Sequence, residues 1–204
     1  MGRLCRVSGS IACLAGLLGL AGCVPHDHGW AASYKEAQDP KIAVVMPAEA
    51  PSIAQEFFES SVTAGHLGID VIDKVGTPVI AVAAGQVDAS FYEPAYGNRV
   101  VIDHGPVTGG VSTYTVYKHL EKRLVQPGEQ VERGQQIATL GVTGALGGGI
   151  PHLHFEVWRG TGKRRHPVDP QRSWANGPGR VTCFDPAAPA ETTGFRLTYP
   201  VGCR

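Results

Sequence analysis

A mainly β protein built from antiparallel sheets is what this sequence predicts. Two observations carry the prediction. The 27 glycines and 15 prolines recur as turn signals along the chain, which favours many short elements over long helices. Between those turns lie short runs rich in β-branched and aromatic residues, the composition of half-buried strands.

Taken from the N-terminus, the chain first shows a targeting segment. Arg3 and Arg6 form a basic start, and Ile11 to Ala21 is an apolar stretch too short to span a bilayer comfortably. It ends in Leu20-Ala21-Gly22-Cys23, which resembles the lipobox of bacterial lipoproteins. The resemblance implies cleavage before Cys23 and lipidation of that cysteine, with enough acyl chains for stable anchoring. An ordinary secretory signal is the alternative, and either one takes the protein out of the cytoplasm. Residues 1–22 are therefore expected to be a signal peptide, leaving a mildly acidic mature body. Val24 follows the lipidated position where an aspartate would favour the inner membrane, so the expected location in a Gram-negative host is the outer membrane, facing the periplasm.

Residues 23–51 read as a lipid-anchored tether, broken by Pro25, Pro40, Pro47 and Pro51, with one short apolar run from Lys41 to Met46. His26 and His28 flank Asp27; a weak metal site is conceivable there, and a solvated tether fits better.

From 52 to 174 the pattern is strand and turn. Gly76-Thr77-Pro78 leads into Val79 to Val82, Gly97-Asn98 into Arg99 to Asp103, and Gly109-Gly110 into Val111 to Leu120. Pro127-Gly128 and Arg133-Gly134 bracket a further short segment, after which come Gln136 to Leu140 and His154 to Trp158. Residues 175–204 form an irregular extension rich in Gly, Pro, Ala and Thr, with no function assigned. Cys183 and Cys203 lie in it, and in an oxidising compartment they are expected to pair; two unpaired thiols are the alternative. Neither has a second cysteine at C-x-x-C spacing, which argues against a zinc site there.

Function classes fall away by charge and motif. Lys+Arg and Asp+Glu both number 18, which gives no electrostatic footprint for nucleic acid. No Walker A sequence or G-x-G-x-x-G after a strand supports nucleotide chemistry.

Two segments carry chemistry. In Gly65-His66-Leu67-Gly68-Ile69-Asp70-Val71, strand alternation would send Leu67, Ile69 and Val71 to one face and His66 and Asp70 to the other, with no side chain between them at Gly68. In Pro151-His152-Leu153-His154-Phe155-Glu156-Val157, alternation puts Leu153, Phe155 and Val157 in the core and His152, His154 and Glu156 opposite. Adjacent imidazoles on one stiff strand can divide labour, one ligating a metal and one handling protons. Either motif alone is weak; their pairing inside alternating strands is much stronger.

These segments, with Gly76-Thr77-Pro78-Val79, Gly97 to Ile102, Tyr117-Lys118-His119-Leu120, Gly128 to Val131 and Gly134 to Ile137, stand in an order that resembles the lysostaphin-like (LytM-type) zinc metalloendopeptidases over about residues 50–170. The resemblance implies a compact antiparallel barrel-sandwich and hydrolysis of peptide cross-links or stem peptides in cell-wall peptidoglycan. It also implies one Zn2+ per chain held by His66, Asp70 and His154, with His119 and His152 as general base and as proton donor or oxyanion stabiliser in an order left open. Three nitrogen and oxygen ligands with a fourth position for water suit a catalytic zinc. Glu156 is a further candidate, placed to orient a ligand imidazole from behind. His104, Asp73 and His166 match no ligand position and read as turn or surface residues. The segment Val142 to Ile150 is looser and more apolar than the family pattern. Two other readings stay open: a non-catalytic peptidoglycan-binding or amidase-activating module on the same fold, and a metal-binding or adhesion lipoprotein.

Overall fold

The structure, a computed structural model, describes residues 42–60, 65–107, 110–188 and 194–204. The expected signal peptide, Cys23, His26 and His28 lie outside the described residues. Among the described residues no helix is long and apolar enough to cross a membrane.

Eleven strands form in chain order: β1 (Ile53–Gln55), β2 (Ile69–Ile72), β3 (Pro78–Ile80), β4 (Gly85–Glu93), β5 (Gly97–Val107), β6 (Val111–Leu120), β7 (Lys122–Arg123), β8 (Gln130–Val131), β9 (Gln136–Thr139), β10 (His152–Arg159) and β11 (His166–Val168). The large sheet runs β1-β2-β10-β6-β5-β4-β8 with β11 beside β10, and a small sheet runs β3-β9-β7. Their strand pairs are antiparallel. The mainly β expectation holds.

Alternation explains the core. Leu153, Phe155 and Val157 of β10 pack with Ile69 and Val71 of β2, Tyr117 of β6, and Val100 and Ile102 of β5, all fully buried. Across from them stand Val79 of β3 and Ile137 and Ala138 of β9. The opposite face of β10 is buried as well: His152 is 2% exposed and Glu156 1%. A row of polar groups held out of water needs partners, and the site below supplies them.

Two expectations are refined. The strand expected from His66 begins only at Ile69; His66 instead forms an isolated bridge with Phe58. Gly68 lies between them, and a Cβ there would run into the carbonyl of Phe155, so only glycine lets β2 close onto β10 at that point. Within the apolar run Lys41–Met46 the described residues 42–46 form one parallel bridge, Val45 with Arg180.

The C-terminal extension is irregular in backbone, as expected, yet its side chains complete the core. Leu197, Tyr199 and Val201 are fully buried, as is Trp174 just before the extension. Val201 bridges Val79, the Ile80 N–H donates to the Pro200 carbonyl (2.8 Å), and the Thr198 N–H donates to the Val82 carbonyl (3.0 Å). The segment thus lines the β3 edge of the small sheet. Cys183 and Cys203 form a disulfide with Cα atoms 5.9 Å apart. Residues 42–51 of the expected tether rest on this extension: the Tyr199 hydroxyl donates to the Pro51 carbonyl, and the Arg204 N–H donates to the Glu49 carbonyl.

Candidate metal centre

Register brings the polar residues together. On the β2–β10 ladder His154 is the cross-strand partner of Asp70, and on the β10–β6 ladder it is the partner of Lys118. Asp70, His154 and Lys118 therefore stand in one row on the same face of three neighbouring strands. His66 enters from the bridge with Phe58, and His119 and His152 sit at the ends of β6 and β10.

Three donor atoms converge. His154 Nδ1 lies 2.8 Å from Asp70 Oδ1, His66 Nε2 lies 3.2 Å from the same oxygen, and the two nitrogens are 3.1 Å apart. The far nitrogen of each ring is committed elsewhere: His66 Nδ1 to the Glu56 carbonyl at 2.8 Å, His154 Nε2 to Glu156 Oε1 at 2.9 Å. Both outer partners can only accept, so both outer nitrogens carry protons, and in a neutral ring the inward nitrogen is left with its lone pair. Two such lone pairs and a carboxylate oxygen within hydrogen-bond distance repel unless a positive charge sits among them. That chemistry fits a divalent cation with nitrogen and oxygen ligands.

The electrostatics point the same way. Burial opposes charge on Asp70, but the close approach of the His154 and His66 rings outweighs it and holds the carboxyl well below its ordinary range. Burial likewise opposes charge on His154, while bonds to Asp70 and Glu156 prevail and raise its pKa. Glu156 resists burial through His154 and Lys118 and is lowered to about 2. The cluster attracts positive charge.

Two more imidazoles border it. His119 Nδ1 donates to the Thr143 carbonyl (2.8 Å) and His152 Nδ1 to the Ile150 carbonyl (2.8 Å). Their rings lie 4.7 Å apart, and His152 Nε2 is 4.0 Å from Asp70 Oδ1. Burial lowers the pKa of His119 to about 4, so it is neutral at pH 7. His119 has φ of 61°, the left-handed region, and is the one non-glycine with positive φ among the described residues. Such backbone costs on the order of 1 kcal/mol and turns the ring toward His152.

His66, Asp70, His119, His152, His154 and Glu156 thus fall in one cluster, while Cys183 and Cys203 pair in the C-terminal extension. His104, Asp73 and His166 stand outside the cluster: His104 bonds the Ala84 carbonyl and Thr115, Asp73 pairs with Arg204, and His166 lies on β11. Sequence reasoning missed Lys118, whose ammonium lies 2.5 Å from Glu156 Oε1, and Trp158, whose Nε1–H donates to Glu156 Oε2 at 2.8 Å. The signal for Trp158 was its place two residues beyond Glu156 on the same strand face. For Lys118, only the register of β6 against β10 could have shown it.

A sheet that presents a His–Asp–His donor set beside two further histidines defines a metallopeptidase-type centre. Residues 64–170 match the model of Peptidase family M23, and the chain belongs to that family. It is similar to peptidoglycan DD-endopeptidase ShyC of Vibrio cholerae, 42% identical over 120 residues, which is 57% of this chain and 26% of ShyC. It is also similar to the lipoprotein YgeR of Escherichia coli, 35% identical over 115 residues, 55% of this chain and 41% of YgeR. The chain thus spans well under half the length of these relatives. Among solved structures it resembles a zinc-containing peptidase from Vibrio cholerae (TM-score 0.50, 36% identity, 63% of this chain and 38% of that one). It also resembles the catalytic domain of lysostaphin from Staphylococcus simulans (TM-score 0.50, 27% identity, 59% of this chain and 89% of that one).

Proposed function

We propose that this chain is a zinc-dependent endopeptidase that hydrolyses peptide cross-links or stem peptides of peptidoglycan, acting from the cell envelope. The observation that carries this reading is the convergence of His66 Nε2, Asp70 Oδ1 and His154 Nδ1 beside two imidazoles anchored by their Nδ1 atoms. The relationship to family M23 and to ShyC supports the substrate class.

In this reading His66, Asp70 and His154 hold one metal ion. Zinc, when bound, acts as a Lewis acid that activates water at neutral pH and polarises a carbonyl. The protein does the rest. The backbone carbonyls of Thr143 and Ile150 hold the His119 and His152 rings by their Nδ1 atoms, orienting both for proton transfer. One of the pair takes the proton of the attacking water; the other stabilises the developing oxyanion or delivers a proton to the leaving amine. Glu156 and the Glu56 carbonyl keep the ligand imidazoles in their orientations.

Export follows from the first residues: a signal peptide over 1–22 and lipidation at Cys23, a reading supported by similarity to the lipoprotein YgeR. Behind the lipid, a tether from 23 to about 51 presents the catalytic domain of 52–174, with 175–204 as its C-terminal extension. In a Gram-negative host the domain would face the periplasm from the outer membrane.

The test is metal analysis of the purified protein together with mass spectrometry of muropeptides released from defined sacculi. We expect about one zinc per chain and new peptide ends. Bound zinc with no new ends would favour the non-catalytic binding module, and no bound zinc would overturn the metal centre.

A further inference from the structure

Glu156 is an acid buried to 1% exposure, and both oxygens of its carboxylate accept hydrogen bonds. Oε1 accepts from His154 Nε2 at 2.9 Å and from Lys118 Nζ at 2.5 Å; Oε2 accepts from Trp158 Nε1 at 2.8 Å. Lys118 is itself 5% exposed, and its ammonium also lies 4.1 Å from the centre of the Tyr96 ring. Burying a lysine against desolvation is costly, and a well-packed apolar pair of similar volume would serve stability as well or better. A buried ion pair kept in such a place calls for another reason. Its geometry supplies one: Lys118 and Trp158 hold the carboxylate at two corners and leave it one position, against the outer nitrogen of a metal-ligating ring.

We propose that Lys118 is a positioning residue of the metal centre, acting through Glu156 to hold His154 with Nδ1 turned toward Asp70 and His66, and so raising the affinity of the site for its metal. The Lys118 ammonium bonds Glu156, which stands between it and the His154 ring. Its neighbour Tyr96 accepts the His119 N–H at its carbonyl (3.0 Å), so the same lysine rests on the loop that holds the backbone of His119. The inference rests on the metal-centre reading above.

The sign of the effect separates positioning from plain electrostatics. A lysine near a divalent cation repels it, so if charge alone mattered, removing the ammonium would tighten binding. If Lys118 acts by fixing Glu156, removing it loosens binding by about 10-fold or more, the scale of outer-layer partners of metal-ligating histidines. The experiment measures zinc dissociation constants by chelator competition in the wild type, Lys118→Met, Glu156→Gln and the double variant, with the Co2+ absorption spectrum as a second readout of ligand geometry. Expected are weaker binding and an altered spectrum in Lys118→Met, and a double variant no weaker than Glu156→Gln alone, because the two residues act in series. Lys118→Met leaves Glu156 without its counter-charge and can unfold for that reason; the double variant is free of the imbalance and must still bind weakly. Unchanged or tighter binding in Lys118→Met, or additive losses in the double variant, would overturn the inference. Failure of the wild type to bind zinc would instead overturn the metal centre itself.

Discussion

His152 and His154 are separated by a single residue, yet their ring nitrogens face different partners. His154 bonds Asp70 and Glu156 with its two nitrogens, whereas His152 ties Nδ1 to its own loop through the Ile150 carbonyl. His154→Ala should therefore abolish stoichiometric zinc by metal analysis. His152→Ala should keep zinc and lose turnover by about 10²–10⁴-fold, the usual scale for a proton-transfer group; equal loss of zinc in both variants would contradict the division of roles. His104 lies away from the site and titrates with folding. Burial lowers its pKa to about 4 from 6.5, and its nitrogens are satisfied by the Ala84 carbonyl and Thr115 Oγ1, both at 2.8 Å. Between these values the unfolded chain binds the proton and the native one does not. Its contribution is thus intact above pH 6.5 and is lost as pH falls toward 4, by about 3 kcal/mol at most. Denaturant unfolding at pH 7 and pH 4.5 should show that slope, and His104→Gln should flatten it.

At the scale of elements, the contact of β2 with β10 decides the site, because it alone sets Asp70 opposite His154. Gly68 permits that contact, so Gly68→Val should push the ladder apart and lower both stability and zinc affinity, measured by thermal unfolding and chelator competition. Phe155→Ala, fully buried on the core face of β10, should cost about 3–5 kcal/mol while leaving the donor set chemically intact. The loop before β10 behaves differently. A 3-10 turn at Ala145–Gly147 is pinned by N–H donation from Ala145 to the Pro94 carbonyl and from Leu146 to the Ala95 carbonyl. It leaves Leu146 58% and Ile150 41% exposed next to β10. This is the apolar departure visible in the sequence, now placed at the edge of the site. Replacing both by serine should raise KM for a muropeptide substrate roughly tenfold with zinc content unchanged, since it removes apolar contact on the order of 1.4 kcal/mol.

Across the whole molecule, the C-terminal extension forms no named strand among its described residues, yet Leu197 to Val201 are buried. Its Leu197, Tyr199 and Val201 reach the same core as β2 and β10, and the disulfide closes a separation of 20 residues over that contact. Reducing the disulfide, or replacing Cys183 and Cys203 by serine, should lower unfolding free energy by about 3 kcal/mol, followed by calorimetry. Chain-end truncation before Phe195 should be more damaging, because it removes three fully buried side chains at once.

Local pattern alone made much of this legible. Alternation in Pro151 to Val157 assigned the core face of β10 correctly, glycine and proline turns marked the strand-rich region, and the spacing of His66, Asp70, His152 and His154 was enough to suggest a metal. These are local properties, written in the period of the backbone and the chemistry of each side chain. Alternation failed at His66, which lies in a bridge with Phe58 before the ladder begins at Ile69, since apolar-polar alternation runs on unchanged through residues 66–68. Lys118 was invisible for a deeper reason. Its role depends on the residue it faces 38 positions away, and cross-strand register is fixed by packing of the whole sheet, as is the burial that makes its charge matter. The same holds for residues 175–204, irregular in sequence because they form no long ladder, and indispensable to the core only because the fold brings them back to the edge of β3.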